Sequence, residues 1–152
     1  MPPLIVADEY PIVNGLALAT PAYRVTGNSP FLDDAPTRGQ NTVVPHASGR
    51  LTNPLHLDQW PLAFHLIIDG RYVNDGSLYA DARMGLITNR EYLNDNIGIR
   101  QSNVSLVWHR RNGTTRSATC QVLGFTGFTK KAYLARTVLN LIVPAGVLGA
   151  PV

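Results

Sequence analysis

The dipeptide Asn14-Gly15, set between two apolar stretches, is the strongest local constraint on the fold of this chain. A tight two-residue hairpin turn needs positive φ at both central positions, which asparagine followed by glycine accepts readily. We therefore predict a β-hairpin with strands at Tyr10–Val13 and Leu16–Thr26. Pro21 lies inside the second strand and lacks an N–H donor, so that strand must lie at an edge or contain a bulge.

Alternation of apolar and polar side chains predicts further strands along most of the chain. The clearest is residues 55–69, where one face carries Leu62, Phe64, Leu66 and Ile68 and the other carries Ala63, His65, Ile67 and Asp69. Other strands are predicted at 41–45, 103–109, 115–124 and 132–143, and loops at 27–41 and 46–54, the latter as a projecting arm. The last strand is apolar on both faces, which indicates cover by the core on one side and by a helix or a neighbouring subunit on the other.

One helix is predicted at Ala82–Ile97, a stretch without proline, with few β-branched residues and with apolar side chains at helical spacing. Asp81 is a suitable N-cap, and Gly98 is expected to end the helix in a left-handed conformation. Gly85 in the first turn disfavours the helix by about 1 kcal/mol relative to alanine. The 152 residues therefore suggest one α+β domain, a mostly antiparallel β-sandwich or rolled sheet with one helix packed on it.

Charge is sparse and unevenly distributed. Charged residues make up 15% of the chain, against about 25% in an average protein. This fits either a surface partly covered by partners or a small β domain rich in Thr, Ser and Asn. Residues 1–95 hold all ten acidic residues and six arginines, a net charge of −4, whereas residues 96–152 hold seven basic residues and no acidic one.

Three interpretations of this uneven charge distribution remain open: a nucleic-acid surface, a head-to-tail contact with the acidic half of an identical neighbour, or solvated turn charges. We favour the contact with a neighbour, because no Lys/Arg run exceeds two residues and no aromatic platform has RNA-binding spacing.

The sequence contains no motif that predicts catalysis. The adjacent carboxylates Asp33-Asp34 lie in a loop between prolines, and Ser48-Gly49 lacks the glycine of a nucleophile elbow. The four histidines, His46, His56, His65 and His109, do not share a face with a second metal ligand at a suitable spacing. We expect a protein that is not an enzyme and that binds no metal or cofactor, with Cys120 packed as a small hydrophobe.

A binding module is the alternative of another class. Trp60, Trp108, Tyr72 and Tyr79 could line a groove for a carbohydrate or a peptide. The N-terminus has no basic stretch before its apolar run, and no apolar segment reaches the length of a membrane span. We therefore expect folding in a cytoplasm without membrane insertion.

The first third of the chain carries two ordered motifs. They comprise Asn14, Gly15, Thr20, Pro21, Tyr23, Val25 and Thr26, followed by Arg38, Gly39, Val44, Pro45 and Gly49. This order resembles the opening of phage distal tail proteins, the ring subunits at the tip of long non-contractile tails.

The resemblance implies a ring-forming domain similar to a tail tube subunit, over nearly the whole chain. It implies a virion protein that forms a ring, a hexamer in the family's pattern, between the tail tube and the hub or fibre proteins. The ring would surround the channel for the tape-measure protein and for DNA as passing cargo. A tail tube or tail terminator subunit is the nearest alternative. Many family members carry a second, C-terminal domain; we expect the ring domain alone, so no receptor-binding role is implied.

Ring assembly assigns candidate interface residues to the basic positions and the apolar tail. The loop at 46–54 and the tail at 144–152 are predicted to reach across subunits. The candidates are Arg38, His46, Arg50, Arg110, Arg111, Arg116, Lys130, Lys131, Val147 and Leu148.

Overall fold

A computed structural model of the chain describes residues 2–27, 29–32, 37–38, 41–43, 50–52, 56–57, 59–98 and 103–152. Its elements are β1 (Tyr10–Val13), β2 (Leu16–Ala17), β3 (Tyr23–Thr26), a short 3-10 helix (Pro30–Leu32), β4 (Thr37–Arg38), β5 (Asn41–Val43), β6 (Arg50–Thr52), β7 (His56–Leu57), β8 (Trp60–Asp69), α1 (Ala82–Ile97), β9 (Val104–His109), β10 (Thr115–Lys131) and β11 (Leu134–Val143).

Seven of these strands form one antiparallel sheet in the order β2-β1-β9-β10-β11-β8-β3. The long strand β10 joins its two halves, pairing with β9 through residues 115–120 and with β11 through residues 121–131. We call β2-β1-β9 with the first part of β10 the β9 half, and the second part of β10 with β11-β8-β3 the β8 half. The sheet curls around the core as a half-barrel with α1 against it, which confirms the predicted α+β rolled sheet.

Aromatic side chains hold the two halves of the sheet together. Phe31, from the 3-10 helix, stacks on Trp108 of β9 with ring centroids 4.9 Å apart and meets Phe64 of β8 at 5.3 Å. The alternation predicted for β8 is confirmed on its apolar face, because Leu62, Phe64, Leu66 and Ile68 are all buried. Trp60 is buried as well, contrary to the expectation that it could line an exposed groove.

The predicted turn at Asn14-Gly15 is confirmed, with φ of 50° and 82° at the two residues. The strand predicted at Leu16–Thr26 is wrong, because pairing with β1 stops at Ala17 and β3 lies at the other edge of the sheet. Thr20 and Tyr23 exchange two backbone hydrogen bonds around Pro21, a residue that favours the second position of a tight turn. This turn carries the chain from one half of the sheet to the other.

The last two strands differ from their predicted bounds for reasons of backbone geometry. The strand predicted to end at Gly124 continues to Lys131, because its register shifts around Gly124 and Gly127, which have φ of 114° and 63°. The following strand begins at Leu134 rather than at Ala132, since Ala132 takes a positive φ of 54° in the turn.

Short strands occupy part of the regions predicted as loops. β4 pairs with β7 and β5 pairs with β6, a nested antiparallel pattern typical of one hairpin. β6 therefore corrects the loop predicted at 46–54, of which residues 46–49 and 53–54 lie outside the described part of the chain. The strand predicted at 41–45 is described only as Asn41–Val43.

The helix has its predicted bounds. The Asp81 carboxylate accepts hydrogen bonds from the backbone N–H groups of Arg83 (3.0 Å) and Met84 (3.4 Å), which confirms its capping role. The left-handed conformation predicted for Gly98 is wrong, because its φ is −62° and its ψ is 175°. Glycine is still needed there, since a Cβ would collide with the carbonyl oxygen of Asn94.

Two glycines allow the start of α1 to lie directly on the chain that leaves β8. A Cβ on Gly70 would collide with the backbone of Ala82 and Leu86, and a Cβ on Gly85 would collide with the carbonyl oxygen of Gly70 and the ring of Tyr79. Gly85, which the sequence marks as unfavourable in a helix, is thus required by close packing.

The substitution Gly85→Ala tests this contact because two effects of opposite sign compete. Helix propensity alone would stabilise the protein by about 1 kcal/mol. We expect instead a net destabilisation of about 2 kcal/mol, since the added methyl group overpacks a backbone contact. Chemical denaturation would measure it, with exposed Thr88→Ala as a control that changes stability by less than about 0.5 kcal/mol. A Gly85→Ala protein as stable as the wild type would contradict the packing argument.

Candidate functional site

The outer edge of β10 has no strand partner over much of its length. Within the described residues, β9 pairs only with residues 115–120, so the edge of residues 121–131 that faces away from β11 is unpaired. Residues 126–131 are all exposed, and the guanidinium of Arg90 on α1 lies 4.5 Å from the ring centroid of Phe128. This segment is a strand edge available for hydrogen bonding.

The opposite edge of the β8 half is also incomplete. β3 pairs with β8 only through residues 65–68 of β8, and no other described strand pairs with residues 60–64 on that side. Ala19 forms a single bridge to Arg24 on the outer side of β3, which leaves Val25 and Thr26 without a described strand neighbour there. Among the described strands, the β8 half therefore has two different edges on opposite sides, each unpaired over part of its length.

The predicted basic half is divided between the two ends of β10. Arg110, Arg111 and Arg116 lie near its beginning, whereas Lys130 and Lys131 lie at its end. A strand of 17 residues spans on the order of 50 Å. These residues therefore form two separate basic sites rather than one patch.

Arg110 and Arg111 differ in their surroundings although they are adjacent. The guanidinium of Arg110 donates two hydrogen bonds to the Thr114 hydroxyl, at 3.0 and 2.6 Å, and lies 5.8 Å from the Trp108 ring centroid. Arg111 is exposed and makes no hydrogen bond or ion pair with the described residues. Arg111 is thus the freer of the two for a partner.

The C-terminal tail lies on β10 of its own subunit. Thr115 and Val152 exchange two backbone hydrogen bonds, and the Gly149 N–H donates to the Ser117 carbonyl at 2.7 Å. The guanidinium of Arg116 donates to the carbonyls of Gly149 (2.7 Å) and Leu148 (3.2 Å).

Two candidate residues of the tail have different exposures. Leu148 is buried against the core, whereas Val147 is 48% exposed. Leu148 and Arg116 are thus engaged within the subunit, and a role of the tail between subunits stays a prediction.

Three candidate interface residues lie in the first third of the chain. Arg38 lies in β4 and Arg50 in β6, whereas His46 lies outside the described residues. The predictions that place these residues at an interface therefore remain open.

Removing the Arg116 side chain should loosen the tail. Arg116→Ala deletes two hydrogen bonds to tail carbonyls, each worth about 1 kcal/mol, so the amides of Gly149 and Val152 should exchange roughly thirtyfold faster. Hydrogen exchange followed by NMR would measure this, with Arg111→Ala as a control that removes the same charge without a described bond. Unchanged exchange at both amides would contradict the assigned role of Arg116.

A buried polar cluster at the end of β8 was not predicted. Asp69, predicted on the strand face opposite Leu66 and Ile68, is fully buried. Its carboxylate accepts hydrogen bonds from the Arg71 side chain at 2.9 and 3.2 Å and meets the Arg24 guanidinium at 3.4 Å. The bond to Asp69 raises the pKa of Arg71 above its usual value. The two arginines provide the pairing that a buried carboxylate requires.

Asn89 extends this cluster into the helix. Its side-chain amide donates to the carbonyls of Asp69 (2.9 Å) and Tyr72 (3.0 Å) and accepts from the Tyr79 hydroxyl (3.1 Å). The Tyr23 hydroxyl donates to the Asn89 carbonyl at 2.6 Å, and burial raises the pKa of Tyr23, with smaller contributions from nearby tyrosines. A polar residue on the apolar stripe of α1 was the available sequence signal, and the bonds indicate a structural role.

The catalytic candidates within the described part of the chain are separated or packed. Within the described residues no three metal-ligating side chains form a cluster. Cys120 is fully buried, and burial raises the pKa of its thiol to about 11. His65 is exposed on β8, whereas His109 stacks on Tyr10 with centroids 4.7 Å apart. Asp33-Asp34 and Ser48-Gly49 lie outside the described residues, so the non-enzymatic prediction stays a prediction.

A cavity of about 410 Å³ lies between the two halves of the sheet. Its walls include Phe31, Phe64 and Trp108, and Glu9 accepts a hydrogen bond from the Trp108 indole at 3.1 Å. Both tryptophans of the proposed carbohydrate or peptide groove are buried, which does not favour that alternative. No described helix combines the length and apolar character needed to cross a membrane.

Comparison with known proteins gives a likeness in structure only. No protein-family model matches the chain, and no curated protein matches it. The chain is similar to the crystal structure of the SPP1 Dit (gp 19.1) protein, described as a paradigm of the hub adsorption apparatus in phages that infect Gram-positive bacteria.

The alignment covers 91% of this chain and 50% of SPP1 Dit, with a TM-score of 0.53 and 13% sequence identity. The chain thus spans about half the length of that protein. At this identity the likeness shows a shared fold.

Proposed function

We propose that this chain is a structural subunit of a phage tail tip that assembles into a ring. The ring joins the tail tube to the hub or fibre proteins and surrounds the channel for the tape-measure protein and DNA. The likeness to SPP1 Dit over 91% of the chain supports this function, together with the resemblance of the N-terminal motifs to distal tail proteins.

The observation that carries the proposal is the pair of different unpaired edges on the β8 half. The outer edge of β10 in one subunit pairs with the β3 and β8 edge of the next subunit. Such a head-to-tail contact uses two distinct surfaces per subunit and closes into a ring when the rotation between subunits permits. Closure leaves neither edge of the β8 half exposed, which lowers the aggregation hazard of an open sheet.

The exposed face of α1 provides a further contact surface. Met84 and Ile87 are 55% and 44% exposed, and their spacing places them on the same side of the helix. Apolar side chains grouped in this way are typical of a surface that a partner covers.

The mass of the purified protein in solution tests the proposed function. We expect native mass spectrometry to show a sixfold species, or a rise toward it with protein concentration. Arg111→Glu should weaken association at low salt if the basic end of β10 meets an acidic neighbour surface, and high salt should reduce the difference. Arg116→Glu is less informative because it also releases the tail.

Other oligomeric states would support an alternative or contradict part of the proposal. An open-ended polymer would favour the alternative of a tail tube subunit, since a contact that does not close gives a filament. A strict monomer at high concentration, without any tail partner able to induce a ring, would contradict the proposal. Equal association of the wild type and Arg111→Glu at every salt concentration would contradict the charge pairing alone.

A further inference from the structure

The face of the β8 half that points away from the core has a distinctive composition. Strand register places Thr26, His65, Val138 and Thr126 in one row across the four strands. The next row contains Arg24, Ile67, Arg136 and Thr129, and a third contains Asp69, Leu134 and Lys131. We call this surface the outer face.

Charge on the outer face is positive. Arg136 and Lys131 are exposed, and the side chains of Arg24 and Arg71 are 43% and 42% exposed. Among the described side chains in these three rows, the only carboxylate is Asp69, which is buried and shared by Arg24 and Arg71. Two arginines sharing one carboxylate leave a net positive charge beside Lys131 and Arg136.

Hydrogen-bonding groups accompany these charges. A groove of about 380 Å³ crosses the outer face and is lined by residues that include Thr26, His65, Gly127 and Arg136. None of the exposed large apolar side chains of the described chain lies in these three rows. The apolar side chains in these rows, Ile67, Leu134 and Val138, are half-buried, so the face offers little of the apolar surface that typically anchors a protein–protein contact.

We propose that the outer face binds the phosphate backbone of duplex DNA. Arginine, lysine and threonine side chains are typical phosphate ligands, and contacts of this kind are independent of base sequence. This inference rests on the proposed function, because the position of the outer face within a ring follows from that function. The helix and the β9 half cover the core face, so a ring closed through the edges of the β8 half has room for them on its outside. The outer face then lines the channel through which DNA passes.

Binding of a fluorescent duplex of about 30 base pairs tests the proposal with the full-length protein. Arg136→Glu should weaken binding at least about tenfold and lower the salt dependence, since a phosphate contact is lost and a repulsion is added. Arg83→Glu is the matched control: it makes the same change in net charge at an exposed position of α1. The control should change affinity less than about twofold, and Lys131→Glu should repeat the effect of Arg136→Glu.

Three outcomes separate this inference from the proposed function. Equal losses of duplex affinity in Arg136→Glu and Arg83→Glu would show that DNA is attracted to any part of a basic protein. That result would overturn the inference, even if the protein forms a ring. Preferential binding of poly-glutamate over the duplex would overturn it in favour of an acidic protein partner. If duplex binding is lost in Arg136→Glu but not in Arg83→Glu, and the protein never forms a ring, the result would support DNA binding at the outer face. The same result would contradict the proposed ring.

Discussion

A single strand shared by two halves of the sheet determines the rest of this structure. β10 pairs with β9 through its first six residues and with β11 through the remainder, so the sheet curls and its halves enclose one core. The register shifts at Gly124 and Gly127 allow the strand to continue as it bends. Among the described residues, the same geometry leaves the second part of β10 without a strand partner on its outer edge, which is the surface that the proposed assembly uses.

The junction between β8 and α1 decides which face of the sheet is covered. Gly70 and Gly85 permit direct backbone contact, and Asn89 binds the carbonyls that follow β8. Buried hydrogen bonds of this kind fix one position of the helix, because each unsatisfied group would cost about 1–3 kcal/mol. The helix is therefore held on the core face, while parts of both edges of the β8 half have no strand partner among the described residues.

Local chemistry made the helix bounds and the β8 alternation predictable, because capping at Asp81 and period-two burial need no distant contact. The strand predicted through Pro21, the buried Asp69 and the close contact between Gly70 and Gly85 depend on tertiary neighbours that a local pattern does not specify. The candidate site also depends on contacts that a local sequence pattern does not specify. Basic residues that form one block in sequence separate to two ends of β10, and the strand edges become apparent only from pairing in the whole sheet.

Intersubunit cross-linking across the two strand edges tests the ring most directly. Thr26 and Thr126 are exposed at opposite edges of the same row and lie three strand spacings apart, or about 14 Å. With cysteines at both positions and Cys120→Ser, a bismaleimide shorter than this spacing can join only different subunits. The account predicts a ladder of covalent oligomers that ends at the closed ring, and each single-cysteine protein should give no ladder. A monomer band alone, from protein shown to be oligomeric in solution, would contradict pairing through these edges.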